Sequence, residues 1–391
     1  MIKEDYQQTL NKILYNNKNV NSTDVTNVLI LHGEELTNIG DWCIRFDKLK
    51  YLKGFLKNAA ITINFTAEGT DKLSGALLKN NPNVQAITTK AWDEIAFVKY
   101  DYIISVSYKE QAILAYLHEK FGSLIESDQF KVCVFTMSHV MLKPIAAAAP
   151  VFPVHMELVA YSEKLKAPCE LFVSKEEQQW ADEWLRGRGL KENEELYIIL
   201  DSTTRRDKLL TVQVYFQWLM TIVKRENVKV LIFDETSMGK EKFYREFLGG
   251  KLMEKFIFSN SLSLREDISL LGSSYTKLVF GPCTGLMHCA SSIYNNYVSN
   301  GLDNKELPVM ITYTGKYLPD EKHVYLWWAN TPLVNVLVLR NRNGIKTMLL
   351  MDDLSDEQKV INDGLSCNEY SAGMITEFVN QKLPHKIAQP A

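Results

Sequence analysis

The 391-residue chain has no apolar run approaching the ~20 residues that a helix needs to span a bilayer. Its first segment, MIKEDYQQTLNKILYNNKNVNSTD, is polar and lacks the apolar core of a signal peptide. Both absences make a cytoplasmic location the expectation. Cysteine is sparse: Cys43, Cys133, Cys169, Cys283, Cys289 and Cys367 are scattered, and none forms a CxxC pair. Neither a disulfide framework nor a zinc site is indicated, and reduced thiols, several of them buried, are expected. An excess of positive charge is missing too. With a net charge of −3, bulk electrostatics does not draw the molecule to nucleic acid, and any basic function has to come from local patches. Signature loops are absent as well. There is no GxxxxGK[ST], no GxGxxG (RGRG at 186–189 lacks the third glycine), no GxSxG and no Asp-x-Asp.

What remains is a globular composition, 46% hydrophobic and 23% charged, in a chain long enough for two domains of about 150–200 residues each. After the polar arm at 1–24, VLIL (28–31) reads as a strand, followed by the loop HGEELTNIGD and a helix over 42–58. In that helix Phe46, Leu49, Leu52 and Leu56 recur at helical spacing. ITINF, DYIISVS and KVCVFT read as further strands, separated by helical stretches near 71–79 and at EQAILAYLHEKFG. Beyond a charged segment the rhythm returns: ELYIIL, VKVLIF, KFIF, KLVFG, PVMITY and VNVLVLR alternate with helical patterns. Such alternation predicts an α/β protein with parallel sheets covered on both faces. We therefore expect an N-terminal Rossmann-like domain over 1–170, a connection over 171–195 and a C-terminal Rossmann-like domain over 196–365. A terminal helix over 366–391 is expected to pack back toward the first domain. Two doubly wound domains facing across a cleft would place ligands at the carboxyl ends of the strands.

Three loops carry the chemistry. DSTTRRDK (201–208) follows a predicted strand and precedes a helix. Thr203 and Thr204 offer hydroxyl and N–H donors, and Lys208 offers a point charge, a set that suits a diphosphate. The plain alternative is a solvated loop. PCTG joins a strand to the helix LMHCASS, so Thr284 can cap that helix, Gly285 admits a close ligand, and His288 lies on the same first turn. TNIGDW (37–42) puts Asp41 at a helix start, where it reads as a cap or as a general base.

In order and spacing these loops resemble glycosyltransferase family 9, the lipopolysaccharide heptosyltransferases, over roughly residues 25–340. TTRRDK resembles the family's Thr-Thr-Arg-x-Asp-Lys run. The segment from SLREDIS to HCASS looks like its donor-binding segment, with Asp-Thr-Gly-x-x-His-x-x-Ala at its core, and TNIGDW resembles its Gly-Asp loop. The resemblance implies a GT-B fold and a metal-independent, inverting transfer from a nucleoside-diphosphate sugar (ADP-heptose-like) to a glycan or lipopolysaccharide-type acceptor. By it, Asp41 is the base and Thr203, Thr204, Lys208, Thr284, Gly285 and His288 hold the donor. Glu235 or Glu241 would bind the ribose. No metal or other cofactor is implied. Cys283 departs from the pattern by standing where the family carries Asp, and a thiol cannot replace the hydrogen bonding of a carboxylate.

Arg45, Lys48, Lys53 and Lys57 form a basic group that reads either as a solvated helix face or as a patch for an acidic acceptor or the inner face of the membrane. Two rivals to a transferase stand: a non-catalytic nucleotide- or glycan-binding descendant, supported by Cys283, and a GT-B-fold nucleotide-sugar epimerase.

Overall fold

The computed structural model describes residues 4–33, 38–65, 70–106, 110–137, 142–144, 152–234, 237–316, 328, 333–359 and 363–383. The chain divides into two compact units, Met1–Ala167 and Pro168–Ala391.

In the first unit a six-stranded sheet has the order β3-β2-β1-β4-β5-β6. Its strands are β1 (Asn27–His32), β2 (Ala60–Phe65), β3 (Ala86–Thr88), β4 (Tyr102–Val106), β5 (Cys133–Met137) and β6 (Leu142–Pro144). All pairings are parallel except β5 with β6. Val28–Leu31 is buried throughout, as a central strand covered on both faces requires. The chain winds outward from β1 in one direction and then in the other, so the topological switch lies between β1 and β4.

Most of the polar arm is a helix. Residues Glu4–Asn19 form α1, which packs on α5 (Glu110–Glu126). Ile13 enters the core beside Leu29, Leu117 and Val134, while the Asn17 amide brackets the backbone of Val134. A polar sequence conceals this because one apolar stripe suffices to dock a helix. The helix expected over 42–58 is two helices, α2 (Ile39–Arg45) and α3 (Asp47–Phe55), broken at Phe46. Their buried faces, Trp42 and Cys43 on one and Leu49 and Leu52 on the other, kept the apolar period running across the break. The remaining helices of this unit are α4 (Thr70–Leu78) and α6 (Pro153–Leu165).

The second unit holds a seven-stranded sheet in the order β13-β12-β11-β10-β7-β8-β9. It comprises β7 (Glu195–Ile199), β8 (Val228–Asp234), β9 (Phe256–Asn260), β10 (Thr276–Pro282), β11 (Val309–Tyr313), β12 (Val334–Arg342) and β13 (Ile345–Leu350). Only the β12–β13 hairpin is antiparallel. The other six strands repeat the doubly wound order, with the switch between β7 and β10. Its α-helices include α7 (Lys175–Gly187), α8 (Val212–Val223), α9 (Lys240–Leu248), α10 (Leu264–Leu271), α11 (Gly285–Ser299), the single turn α12 (Asp356–Lys359) and α13 (Ala372–Lys382).

One expectation needs correction here. Much of the 171–195 connection belongs to this second unit: Ser174 caps α7, whose Ala181 and Leu185 are buried, and α7 packs on α10. The ion pair from Arg265 to Glu177 fixes that contact. The terminal helix α13 packs against α8 of its own unit, with Ile375 and Val379 in the core and Asn380 accepting from Arg225.

Candidate functional site

The geometry is built where β7 and β10 run side by side to their carboxyl ends. Leu200 N–H donates to the Phe280 carbonyl at 2.8 Å, so the two exits are held together. A Cβ at Gly281 would sit 2.6 Å from both the Cβ and the carbonyl oxygen of Leu200, which is why glycine occupies that position.

Past β7, the DSTTRRDK loop divides its charges. Arg205 pairs with Asp207 at 2.5 Å on the surface, and those hydrogen bonds hold Asp207 below the usual carboxylate range. Arg206 is exposed. Lys208 turns inward: it is half-buried, and its Nζ donates to the Cys283 carbonyl at 3.2 Å, spanning the switch point from one loop to the other. Thr203 Oγ1 accepts from Arg205 N–H at 3.4 Å, and Thr204 is exposed. α8 begins at Val212, where Thr211 takes the N–H of Val214, so its N-terminus is not continuous with Lys208.

Past β10, Thr284 is the N-cap of α11, its hydroxyl accepting from Met287 N–H at 3.4 Å. Gly285 is the first helical residue. His288 N–H reaches the Thr284 carbonyl, which places the imidazole in the same turn. That ring is buried, stacked on Trp328 with centroids 4.1 Å apart, and its Nε2 lies 3.7 Å from Cys283 Sγ. Burial, with a smaller contribution from the charge of Lys208, pushes His288 down to about 3. The imidazole is therefore neutral at physiological pH and can hydrogen-bond without adding charge. Lys208, Cys283, Thr284, Gly285 and His288 thus lie together at the carboxyl ends of β7 and β10. Trp328 was missed, and no periodicity in its segment signals it.

Glu235 lies outside the described residues. Glu241 is in the first turn of α9 and pairs with Arg245 at 2.8 Å, each about half exposed. The buried carboxylate at the end of β8 is Asp234, which accepts the N–H groups of Met238, Gly239 and Lys240 at 2.8, 3.2 and 3.2 Å.

In the first unit, Asp41 is the third residue of α2, exposed, with the Asn38 amide donating to it at 3.2 Å. Asn38, not Asp41, occupies the N-cap position, and its side chain makes no capping bond. Of the basic group, Lys48 is paired with Asp47 at 2.6 Å and Lys53 donates to the Lys57 and Ala59 carbonyls, closing the end of α3. Lys57 is exposed, and the side chain of Arg45 lies outside the described residues. All six cysteines are buried. Among the described residues no group of three or more His, Cys, Asp or Glu could hold a metal ion, and no helix is long and apolar enough to cross a membrane.

The sequence matches no protein-family model and none of the curated proteins. The fold does match solved structures. The chain is similar to the E. coli ADP-heptose lipopolysaccharide heptosyltransferase II at 13% identity and a TM-score of 0.56, over 91% of this chain and 98% of the other. It is also similar to a glycosyltransferase family 9 protein from Veillonella parvula at 13% identity and a TM-score of 0.51, over 82% and 87% of the two chains. The architecture is a heptosyltransferase-like GT-B fold.

Proposed function

We propose that the protein is a metal-independent, inverting glycosyltransferase. It takes a sugar from a nucleoside-diphosphate donor and passes it to a cell-surface glycan or lipopolysaccharide-type acceptor at the inner face of the membrane. The observation that carries this reading is the convergence of Lys208, the Thr284 cap and neutral His288 on the β7/β10 switch point of a GT-B-type domain. An ADP-heptose-like donor is the analogue suggested by the E. coli similarity.

In the proposed reaction Asp41 takes the acceptor hydroxyl proton as the hydroxyl oxygen forms its bond to the anomeric carbon. The bond from that carbon to the diphosphate oxygen breaks with inversion, and its electron pair leaves with the nucleoside diphosphate. Charge grows on the diphosphate as it leaves, so the stabilising groups have to be oriented beforehand. Lys208 supplies the positive charge, while Thr203, Thr204, Thr284 and the backbone at Gly285 supply donors. Glu235 or Glu241 is the proposed ribose ligand.

Cys283 favours a second reading, a non-catalytic nucleotide binder, because the thiol beside His288 provides no carboxylate to orient a donor sugar. Thermal-shift titration with ADP, UDP, GDP and CMP and their sugars, without and then with metal, tests the first reading. Saturable stabilisation that is indifferent to metal and lost in Lys208→Ala supports it, and no shift with any donor sinks it. Cys283→Asp separates the two readings: a gain in turnover marks a decayed site, and a loss marks a changed donor.

A further inference from the structure

One feature of DSTTRRDK runs against a phosphate site. Its first residue is an aspartate at the mouth of the loop, an anion where a diphosphate is to be held. Asp201 is also largely buried, its side chain 13% exposed. The structure gives that charge a dedicated partner from the next strand's exit. Lys240, the first residue of α9 and 11% exposed, puts its Nζ 2.6 Å from Asp201 Oδ1. The same ammonium donates to Ser202 Oγ at 3.2 Å and to the Phe233 carbonyl, while its backbone N–H is held by Asp234. Tyr244 donates to the second oxygen, Oδ2, at 2.8 Å, and its hydroxyl also meets that of Tyr215. Both oxygens of Asp201 are therefore occupied, and the exits of β7 and β8 are tied together by one side chain.

We propose that Lys240 is a positioning residue of the nucleotide site. It cancels the charge of Asp201 and fixes the start of the 201–208 loop, so that Lys208 alone sets the local potential felt by the diphosphate. The inference rests on reading 201–208 as a phosphate loop. Its logic is asymmetric. Removing Lys240 leaves an uncompensated anion beside the ligand, whereas neutralising Asp201 leaves a cation there. A purely structural ion pair has no such sign, since breaking it from either side loosens the same contact.

The test measures ADP and UDP binding to the full-length protein by calorimetry, with adenosine and uridine as controls that lack phosphate. Lys240→Met is expected to weaken diphosphate binding about tenfold and to leave the nucleosides unchanged, as loss of one compensating charge beside the phosphates implies. Asp201→Asn, nearly isosteric, is expected to bind the diphosphates as well as the wild type or more tightly. The Asp201→Asn/Lys240→Met pair is expected to return to within about threefold of wild type, because no buried charge is left unpaired. Equal losses in both single variants, or a loss of nucleoside binding to match, overturns the proposal. Should Lys240→Met fail to fold, Asp201→Asn decides alone: weaker diphosphate binding refutes the sign. A wild-type protein that binds no nucleoside diphosphate overturns the nucleotide-site reading itself, whereas normal wild-type binding with the wrong order of variants overturns only the role of Lys240.

Discussion

In the first domain β1 ends in His32, whose ring lies 4.1 Å from Trp42 and 5.1 Å from Phe65, all three buried. In the second domain the equivalent strand, β7, runs into Asp201, Ser202 and a loop of threonines and cations braced by Lys240 and Lys208. Both strands stand at the switch point of the same doubly wound order. Topology fixes where a ligand can sit, and side chains decide what it can be. Aromatic packing suits a wall, whereas hydroxyls, N–H groups and one inward lysine suit an anion.

In the proposed function, turnover falls to the first domain and nucleotide affinity to the second, a division that variants can test. Asp41→Asn is expected to lower kcat about 10³-fold, within the range of general-base loss, with nucleotide affinity unchanged. A parallel loss of affinity in calorimetry would undo that division. Lys208→Ala is expected to weaken nucleoside-diphosphate binding about 30-fold, as removal of a charge-assisted hydrogen bond implies, without moving the acceptor KM.

Acid sharpens the contrast because the two domains respond with opposite sign. His288 is pushed down to about 3, so between that value and the ordinary 6.5 the unfolded chain binds the extra proton. The second domain therefore loses stability as pH falls, by about 2 kcal/mol between pH 7 and 5. His288→Gln should flatten that dependence. Asp47 is raised to about 6 by burial, which outweighs its bonds to Lys48. There the folded state binds more protons than the unfolded, and stability is lost as pH rises through about 6. The first domain should gain about 1 kcal/mol over the same acidification. Amide exchange read separately on β4 and β10 checks both signs, and matching losses in the two sheets would refute the pair.

The strands were legible because each is a short apolar run bounded by turn residues, and ELYIIL and VKVLIF are buried almost throughout. Less could be read where a partner rather than a local pattern makes the element. β13 is largely half-exposed and exists as the antiparallel mate of β12, and among the described residues β6 likewise pairs only with β5. The docking of α1 and α13 depends on surfaces far away in the sequence. At the site, loop composition pointed to Lys208 and His288 because charge and helix-start position are sequence properties. Lys240 was invisible: nothing in KEKFYREF says that its first lysine reaches back across two strand ends to Asp201.

Because α13 closes onto its own sheet, each compact unit is drawn from one uninterrupted stretch of chain, with the division at Ala167 and Pro168. Such a division is modular. Residues 168–391 carry the entire second sheet, its covering helices and every candidate phosphate ligand, so a single cut in the coding sequence should release a half, holding the whole of the proposed nucleotide site, that can be expressed, grafted or exchanged with all of its own parts.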